Sequence, residues 1–327
     1  MCQSHSTTAI IALNNDIVNV KFSLVDKWID KKLMSQVVGD KLIDCGFKSR
    51  GLRMKDCADI LTYEYINGAF KLTRANLCRD RLCPVCTWRL ALKRFGEMRR
   101  VLTSVAQAYP EYRYSLVTLT VKNCPPSALN ATVKKMSAAW NRLLQRRTLK
   151  PYIAGTGRST EITYNAKTHE LHPHFHLLVA WYDTDESDRL IDYWIKSATD
   201  EGFTVNSKAQ NAQAIIEKPI TCNDNEEYDS ALLKSILETF KYNIKGSDLI
   251  NTPLHIFKTI ASQISGLRLV SYSGVIKRYM SLCEADVNNP DGEIENEELK
   301  ADLNPNIDKI VFKWSFGDNC YKLLDIN

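Results

Sequence analysis

Apolar residues recur every three to four positions in several stretches of the chain, and this spacing predicts helices. Residues 17–44 combine charged and apolar side chains at near-helical spacing and are predicted to form a helical N-terminal segment. Residues 88–105, 188–199 and 230–245 are predicted to be helical as well. A further helix is expected after Ser127, a candidate N-cap. The apolar side of that helix consists of Leu129, Val133, Met136, Trp140 and Leu143.

Other stretches are rich in β-branched and aromatic residues, which favour strands. Residues 61–77 predict a hairpin, because two such runs flank Asn67-Gly68, a strong turn dipeptide. Three more ranges predict, in turn, a buried strand, a second hairpin and a terminal strand pair: residues 114–120, 158–181 and 309–325. The chain therefore combines strand pairs with helices and shows no internal repeat.

Charge is distributed unevenly along the chain, although the net charge is only +5. Residues 71–100 hold nine Lys or Arg and two acidic residues, and residues 121–160 hold eight Lys or Arg and no acidic residue. Residues 284–302 hold eight Asp or Glu, within a stretch to residue 306 that is predicted to be a linker or long loop. Segregated basic blocks favour a polyanionic partner such as DNA.

Neither the apolar runs nor the N-terminal residues indicate a membrane segment or a signal peptide. No apolar run approaches the roughly 18 residues of a membrane span. The N-terminus lacks a basic segment followed by an apolar one. We therefore expect a cytoplasmic protein.

Three of the six histidines lie within five residues, at His172, His174 and His176. In a strand, alternate side chains share one face, so these imidazoles are expected to stand side by side. The pattern indicates a metal site. The alternative is a His-rich edge strand exposed to solvent.

A metal site of two histidines needs a third ligand, and the predicted hairpin suggests one. If residues 158–164 and 171–181 pair around the turn, facing residue numbers sum to about 335. Glu161 then lies opposite His174. His172 is the rival third ligand and ranks lower, because three imidazoles favour zinc. Glu161, His174 and His176 would suit Mg²⁺ or Mn²⁺.

The helix predicted over residues 230–245 places Glu238, Tyr242 and Lys245 on the side opposite its apolar stripe. A Tyr hydroxyl has a pKa near 10 and needs a stabilised anion to act as a nucleophile. Lys245 can supply that charge beside a metal-polarised phosphate. Such a helix face is also common on solvated helices. Other tyrosines are not accompanied by a Glu and a Lys in this arrangement and are interpreted as packing residues: Tyr228, Tyr272 and Tyr279.

Cysteines are clustered at Cys78, Cys83 and Cys86, in a segment rich in Arg. Three thiolates usually take a fourth for tetrahedral Zn²⁺, and Cys57 is the best candidate, with Cys45 as the alternative. Such a site would be structural and would hold the basic helix in place. Reduced, buried cysteines are the competing interpretation.

The combined pattern resembles the HUH endonucleases, and within them the plasmid rolling-circle replication initiators with a single tyrosine. The first motif of that family is similar to residues 116–120. The second is similar to residues 161–165 followed by residues 172–176, and the third to Glu238-x3-Tyr242-x2-Lys245. The family's cysteine motif is similar to residues 77–89. The resemblance spans about residues 52–282.

The resemblance implies an α+β fold whose HUH nuclease core is a central antiparallel sheet flanked by helices. We expect a Cys-rich zinc-type module before that core. The resulting division is a helical N-terminal segment, a Cys-rich module with a basic helix, the HUH core, and an acidic linker with a strand pair: residues 1–50, 51–105, 106–282 and 283–327.

The resemblance also implies a mechanism. Tyr242 would attack a phosphate in single-stranded origin DNA, keep a 5′-phosphotyrosine bond and release a 3′-hydroxyl. Glu238 would activate water at termination, and Lys245, helped by Lys241, would stabilise the phenolate. The expected partners are plasmid origin DNA and a host helicase, polymerase and single-strand binding protein. Alternatives are a conjugative relaxase, a single-strand transposase or a non-catalytic zinc-containing DNA-binding regulator.

Overall fold

The computed structural model of the protein describes residues 8–13, 16–21, 23–66, 69–216, 235–236, 238–241, 243–290, 298–299, 301–302 and 309–326. The chain divides into two compact units, residues 1–93 with 289–327, and residues 94–288. None of the described helices is both long and apolar enough to cross a membrane.

The first part of the chain contains, in order, β1 (Thr8–Leu13), β2 (Asp16–Lys21), α1 (Ser23–Asp44), α2 (Lys48–Lys55), β3 (Ile60–Ile66), β4 (Ala69–Ala75) and α3 (Pro84–Ala108). The middle contains β5 (Arg113–Thr120), α4 (Leu129–Leu144), β6 (Ile153–Asn165), β7 (Glu170–Trp181), α5 (Ser187–Asp200) and β8 (Asn211–Ile216). Three more helices, Gly246–Asn251, Leu254–Gln263 and Gly274–Leu282, accompany β9 (Val270–Ser273). The chain ends with β10 (Glu298–Leu299), β11 (Ala301–Asp302), β12 (Lys309–Ser315) and β13 (Cys320–Ile326).

The unit formed by residues 1–93 and 289–327 contains an antiparallel sheet of strand order β10-β4-β3-β12-β13. The hairpin predicted over residues 61–77 is confirmed as β3 and β4, although Asn67-Gly68 itself lies outside the described residues. The predicted terminal strand pair is also confirmed as β12 and β13, and β12 pairs with β3.

The unit formed by residues 94–288 contains an antiparallel sheet of order β8-β5-β7-β6-β9, so that β7 is the central strand. One face packs against α4 and α5, with Val117, Phe175, Leu177, Trp140 and Trp194 in the core. The other face packs against α3, the helical residues near 236–240 and the helix Gly274–Leu282. The α+β class and an antiparallel sheet flanked by helices are therefore confirmed.

Two predictions about the ends of the chain are wrong in part. Residues 17–21 belong to β2, so the helix of the N-terminal segment begins only at Ser23. Ile17, Val18 and Val20 are β-branched, and pairing with β1 outweighs the near-helical spacing. The acidic stretch contains two short strands, β10 and β11, where a linker or loop was expected.

Two predictions about helices need correction. Ser127 lies within a 3-10 turn, and the N-cap position of α4 is Ala128, which makes no side-chain cap hydrogen bond. The helix predicted over residues 230–245 ends earlier, because residues 238–240 are helical whereas residues 241, 243 and 244 form bends. Lys245 instead precedes the helix Gly246–Asn251 as its N-cap.

Candidate active site

Strands β6 and β7 bring one carboxylate and two imidazoles together. Their register pairs Glu161 with His174, as the sum of 335 predicted, and His176 lies two residues further along the same face. Glu161 Oε2 lies 2.9 Å from His176 Nε2 and 3.5 Å from His174 Nε2. Potential ligand atoms of all three residues lie within 4.8 Å of one another. The group is a candidate metal site.

The second ring nitrogen of each imidazole is held by a neighbour. His174 Nδ1 donates to the backbone carbonyl of His172 at 3.2 Å, and this contact orients the ring so that Nε2 is directed at Glu161. His176 Nδ1 lies 3.3 Å from the hydroxyl of Thr118 on β5. Partners of this kind orient the imidazoles of metal sites. Because one carboxylate oxygen and two oriented imidazole nitrogens converge at this point, the donor set suits a cation.

His172, the rival third ligand, has both ring nitrogens engaged elsewhere. Its Nε2 lies 3.0 Å from the hydroxyl of Thr120, and its Nδ1 lies 2.8 Å from Oδ1 of Asn123. Burial, together with His174, lowers its pKa. His172 stacks on His174 at a ring distance of 5.1 Å and does not join the ligand group.

Two lysines approach the same carboxylate. Lys241 Nζ lies 3.7 Å from Glu161 Oε2, and Lys245 Nζ lies 3.9 Å from Glu161 Oε1. Burial acts to raise the pKa of Glu161, but hydrogen bonds from His174 and His176 and the charge of Lys241 outweigh it. The pKa of Glu161 therefore lies well below its usual range, and this carboxylate is charged at neutral pH.

Tyr242, the predicted nucleophile, lies outside the described residues, but its two neighbours in the sequence contact this site. Lys241 Nζ bonds to Glu238 Oε1 at 2.5 Å. Asn243 binds to β6 through both its backbone and its side chain. The expectation that Glu238 and Lys245 share one helix is wrong, since the helix ends before Lys245.

Asn243 is the residue that sequence reasoning missed. Its carbonyl accepts from the backbone N–H of Ile162 at 2.8 Å, and its side-chain Nδ2 donates to the carbonyl of Thr160 at 2.7 Å. These contacts lie on either side of Glu161 in the sequence of β6. Adjacency to Tyr242 was the only signal in the sequence, and it gives no indication of β6 as the partner.

The other tyrosines interpreted as packing residues stay in that role where they are described. Tyr272 is packed against Phe240, with ring centroids 5.6 Å apart, and burial raises its pKa to about 12. Tyr279 contacts the ring of Tyr109. Tyr228 lies outside the described residues.

Four cysteines of the first unit form a second candidate metal site. The sulfur atoms of Cys57 and Cys86 lie 3.5 Å apart, those of Cys83 and Cys57 3.6 Å, and those of Cys78 and Cys86 3.7 Å. A tetrahedron with Zn–S bonds of about 2.3 Å has edges of about 3.8 Å. The spacing of these thiols therefore fits zinc.

Backbone amides surround the same sulfurs. The N–H of Cys78 donates to Cys57 Sγ at 3.3 Å, and the N–H of Arg79, a residue with left-handed backbone (φ 56°), donates to Cys86 Sγ at 3.2 Å. Burial acts to raise the pKa of Cys83, but hydrogen bonds from the other three thiols and from Ser35 outweigh it and lower that pKa well below its usual range. Cys45, the alternative fourth ligand, is buried but is not part of this group.

Comparison with known proteins identifies the family. The profile of the replication protein family matches residues 69–322, which is more than half of the chain. The chain belongs to this family. The match confirms the resemblance to the plasmid rolling-circle replication initiators. The match includes Cys78, Cys83 and Cys86 but begins after Cys57, and it includes the complete Glu161, His174 and His176 group.

Individual relatives of this replication protein come from several bacteria. A "Protein rep" of Lactiplantibacillus plantarum is 25% identical over 304 residues, which cover 91% of this chain and 95% of the relative. Another, of Streptococcus pneumoniae, is 27% identical over 76% of this chain and 77% of its own length. A third, of Staphylococcus aureus, is 27% identical over 69% of this chain and 96% of its own length. No solved structure matches the chain.

Proposed function

We propose that this replication protein initiates rolling-circle replication by nicking one strand of plasmid origin DNA through a 5′-phosphotyrosine intermediate. The observation that carries the proposal is the convergence of Glu161, His174 and His176 beside the residues that flank Tyr242. The position of the histidines on β7, the central strand, supports an HUH core. Family membership supports origin DNA as the substrate.

The donor set supports a divalent cation at the catalytic site. Glu161 is buried and charged, and both His174 and His176 direct Nε2 towards it. One carboxylate and two imidazoles suit Mg²⁺ or Mn²⁺. When bound there, such a cation polarises a phosphate and stabilises the charge that develops on its oxygens.

Tyr242 is the proposed nucleophile. Its phenolate oxygen would attack the phosphorus and form the Tyr–O–P bond, while the P–O3′ bond breaks and the leaving 3′-oxygen takes up a proton. Lys245 and Lys241 both lie within 4 Å of Glu161, so their charges are available at this site to stabilise the phenolate. Asn243 would hold the backbone that carries the nucleophile.

Glu238 is the proposed base of the termination step, in which it would take a proton from water so that the last cut releases DNA by hydrolysis. Its side chain is 44% exposed and paired with Lys241, so solvent can reach it.

The proposed cysteine site would hold structural Zn²⁺ through Cys57, Cys78, Cys83 and Cys86. A host helicase, polymerase and single-strand binding protein remain proposed partners, and the cytoplasm the proposed location.

The test is incubation of the full chain with the supercoiled plasmid that carries its own origin, with Mg²⁺ or Mn²⁺. We expect a nicked plasmid covalently attached to protein, and no product when the divalent cation is removed by chelation. Tyr242→Phe should abolish the adduct, because the variant lacks the attacking oxygen, while duplex binding persists. Gel mobility before and after proteinase treatment measures the adduct.

Tyr182→Phe is the matched control, since Tyr182 is exposed and lies just beyond the end of β7, six residues after His176. It should nick at the wild-type rate. An adduct formed by Tyr242→Phe would contradict the nucleophile assignment. Origin binding without any cleavage by the wild-type protein would instead support the non-catalytic regulator.

A further inference from the structure

Helix α4 has two sharply different sides. Among its buried residues, Met136, Ala139, Trp140 and Leu143 pack against the sheet on the face opposite Glu161 and the histidines. The other side, within a sector of about 120° at 100° per residue, is exposed to solvent. That exposed side consists of Ala131, Lys134, Lys135, Ala138, Asn141 and Arg142, and it continues into the C-cap residue Gln145.

The exposed side of α4 carries cations and amides and no carboxylate. Arg142 forms an ion pair with Glu201. Within the described part of the chain, Lys134 and Lys135 have no ion-pair partner, and the same holds for Arg147 and Lys150 just beyond the helix. The neighbouring helix α5, in contrast, exposes charges of both signs, namely Asp188, Asp192 and Asp200 beside Arg189 and Lys196. Helix α4 and the residues that follow it up to Lys150 therefore carry exposed positive charge with no acidic residue among them.

We infer that α4 binds the major groove of duplex DNA and reads the origin sequence there. The inference rests on the proposed function for the identity of the DNA. A helix is about 10–12 Å wide and the groove of B-DNA about 12 Å, so α4 fits lengthwise. Lysines bind phosphates, whereas Asn and Gln side chains can form paired hydrogen bonds with adenine, and Ala138 leaves room for the approach.

Other polyanionic partners fit this surface less well. A lipid surface requires an apolar side on the helix to insert, and the apolar side of α4 is buried against the sheet. The major groove of double-stranded RNA is too narrow for side chains to read. A single strand is bound by stacking on aromatic side chains, and the exposed side of α4 has none.

The first experiment measures duplex binding by the full chain with labelled duplexes of 30 base pairs that tile the plasmid origin, and with a scrambled duplex. Lys134→Ala/Lys135→Ala should weaken binding to origin and scrambled duplexes by a similar factor. The plot of log affinity against log salt should become shallower by about 2, one for each lost phosphate contact. Lys48→Ala/Lys196→Ala removes the same charge from α2 and α5 and should leave both quantities unchanged.

The second experiment separates recognition of the origin sequence from electrostatic attraction to any duplex. Asn141→Ala/Gln145→Ala should weaken binding to the origin duplex about tenfold or more while binding to the scrambled duplex stays the same. All variants should keep the wild-type unfolding temperature. They should also keep the wild-type nicking rate on a single-stranded oligonucleotide that spans the nicked strand, because α4 lies on the face opposite the catalytic group.

Wild-type affinity and salt dependence in Lys134→Ala/Lys135→Ala would overturn the inference, as would an equal loss in Lys48→Ala/Lys196→Ala. Unchanged sequence preference in Asn141→Ala/Gln145→Ala would overturn the reading role. Failure of the proposed function has a different signature, namely no nicking by the wild-type protein with either DNA form. The duplex measurements test α4 whatever the outcome of nicking.

Discussion

At the scale of single residues, the candidate active site depends on neighbouring groups that orient its imidazoles and the backbone beside Tyr242. Thr118 and the carbonyl of His172 engage the outer nitrogens of His176 and His174, and so direct the inner nitrogens towards Glu161. Asn243, the residue that follows Tyr242, binds to β6 through its side chain. A phenolate displaced by about 1 Å from its target can lose a hundredfold in rate, so such positioning contacts have a large effect on chemistry.

Asn243→Ala should lower the rate of adduct formation by about tenfold to hundredfold at saturating DNA, because the bonds from Nδ2 to Thr160 and Ser159 are lost. The affinity for DNA should stay the same. A lower adduct rate with unchanged affinity distinguishes a role in positioning Tyr242 from general destabilisation of the protein. Single-turnover nicking kinetics and DNA titration provide the two measurements.

Asn165→Ala is the control for this variant. The side chain of Asn165 also makes two hydrogen bonds, in which its Oδ1 accepts from the backbone N–H groups of Lys167 and Thr168, but these lie in the turn between β6 and β7. A wild-type adduct rate in Asn243→Ala would contradict the positioning role.

The pairing of Glu161 with His174 could be predicted from the sequence, because a hairpin has only two possible side-chain phases and one of them places the carboxylate beside the imidazoles. Asn243 could not be predicted in the same way. Its partners lie more than 80 residues away in the sequence, and no local pattern encodes a contact of that range.

At the scale of elements, the helix that carries Glu238 lies unusually close to β6. A Cβ atom on Gly157 would lie 2.8 Å from Cζ of Phe240, which is shorter than side-chain atoms tolerate. Gly157 shares its face of the sheet with Glu161. The absence of a side chain at residue 157 therefore lets the helix containing Glu238 approach the candidate metal group of Glu161, His174 and His176.

Gly157→Ala should lower the free energy of unfolding by about 1–3 kcal/mol, because the added methyl group pushes against the buried ring of Phe240. Nicking should fall as well, since Glu238 and Lys241 move with that ring. Chemical denaturation and the plasmid assay measure the two effects.

Gly317→Ala is the matched control, since nothing lies within 4 Å of a Cβ atom there, and it should be neutral. Phe240→Leu combined with Gly157→Ala should recover part of the loss. A neutral Gly157→Ala variant would show that the helix can move away without penalty.

The length of this helix was the least predictable element of the site. The apolar stripe of residues 232–244 continues at helical spacing beyond the point where the helix ends. Hydrogen bonds of Asn243 to the edge of β6 compete with continuation of the helix, and tertiary contacts of that kind override local periodicity.

At the scale of the whole molecule, the described residues of each compact unit form one candidate metal group entirely of their own. Cys57, Cys78, Cys83 and Cys86 belong to the first unit, and Glu161, His174 and His176 to the second. The sequence predicted both groups. It did not predict that residues beyond 288 return to pair with β3 and β4, because strand pairing between chain ends has no local signature.

The purified protein should contain one zinc ion per chain, and Cys57→Ser should lose it, because serine is a poor replacement for a thiolate ligand. The unfolding temperature should fall by roughly 10 °C or more, since metal binding contributes directly to folding. Cys45→Ser should retain zinc. Metal analysis and calorimetry are the measurements, and full zinc content in Cys57→Ser would contradict the ligand set.

The sheet with β7 at its centre separates its two helical layers, with the candidate metal group of Glu161, His174 and His176 on one face and α4 on the other. A DNA molecule that contacts both faces must pass around the edge of that sheet. Duplex DNA is stiff over about 150 base pairs, so a turn this tight requires opened or sharply kinked base pairs. Supercoiling or a preformed cruciform at the origin would supply that opening, and relaxed plasmid would be a poorer substrate for the same protein.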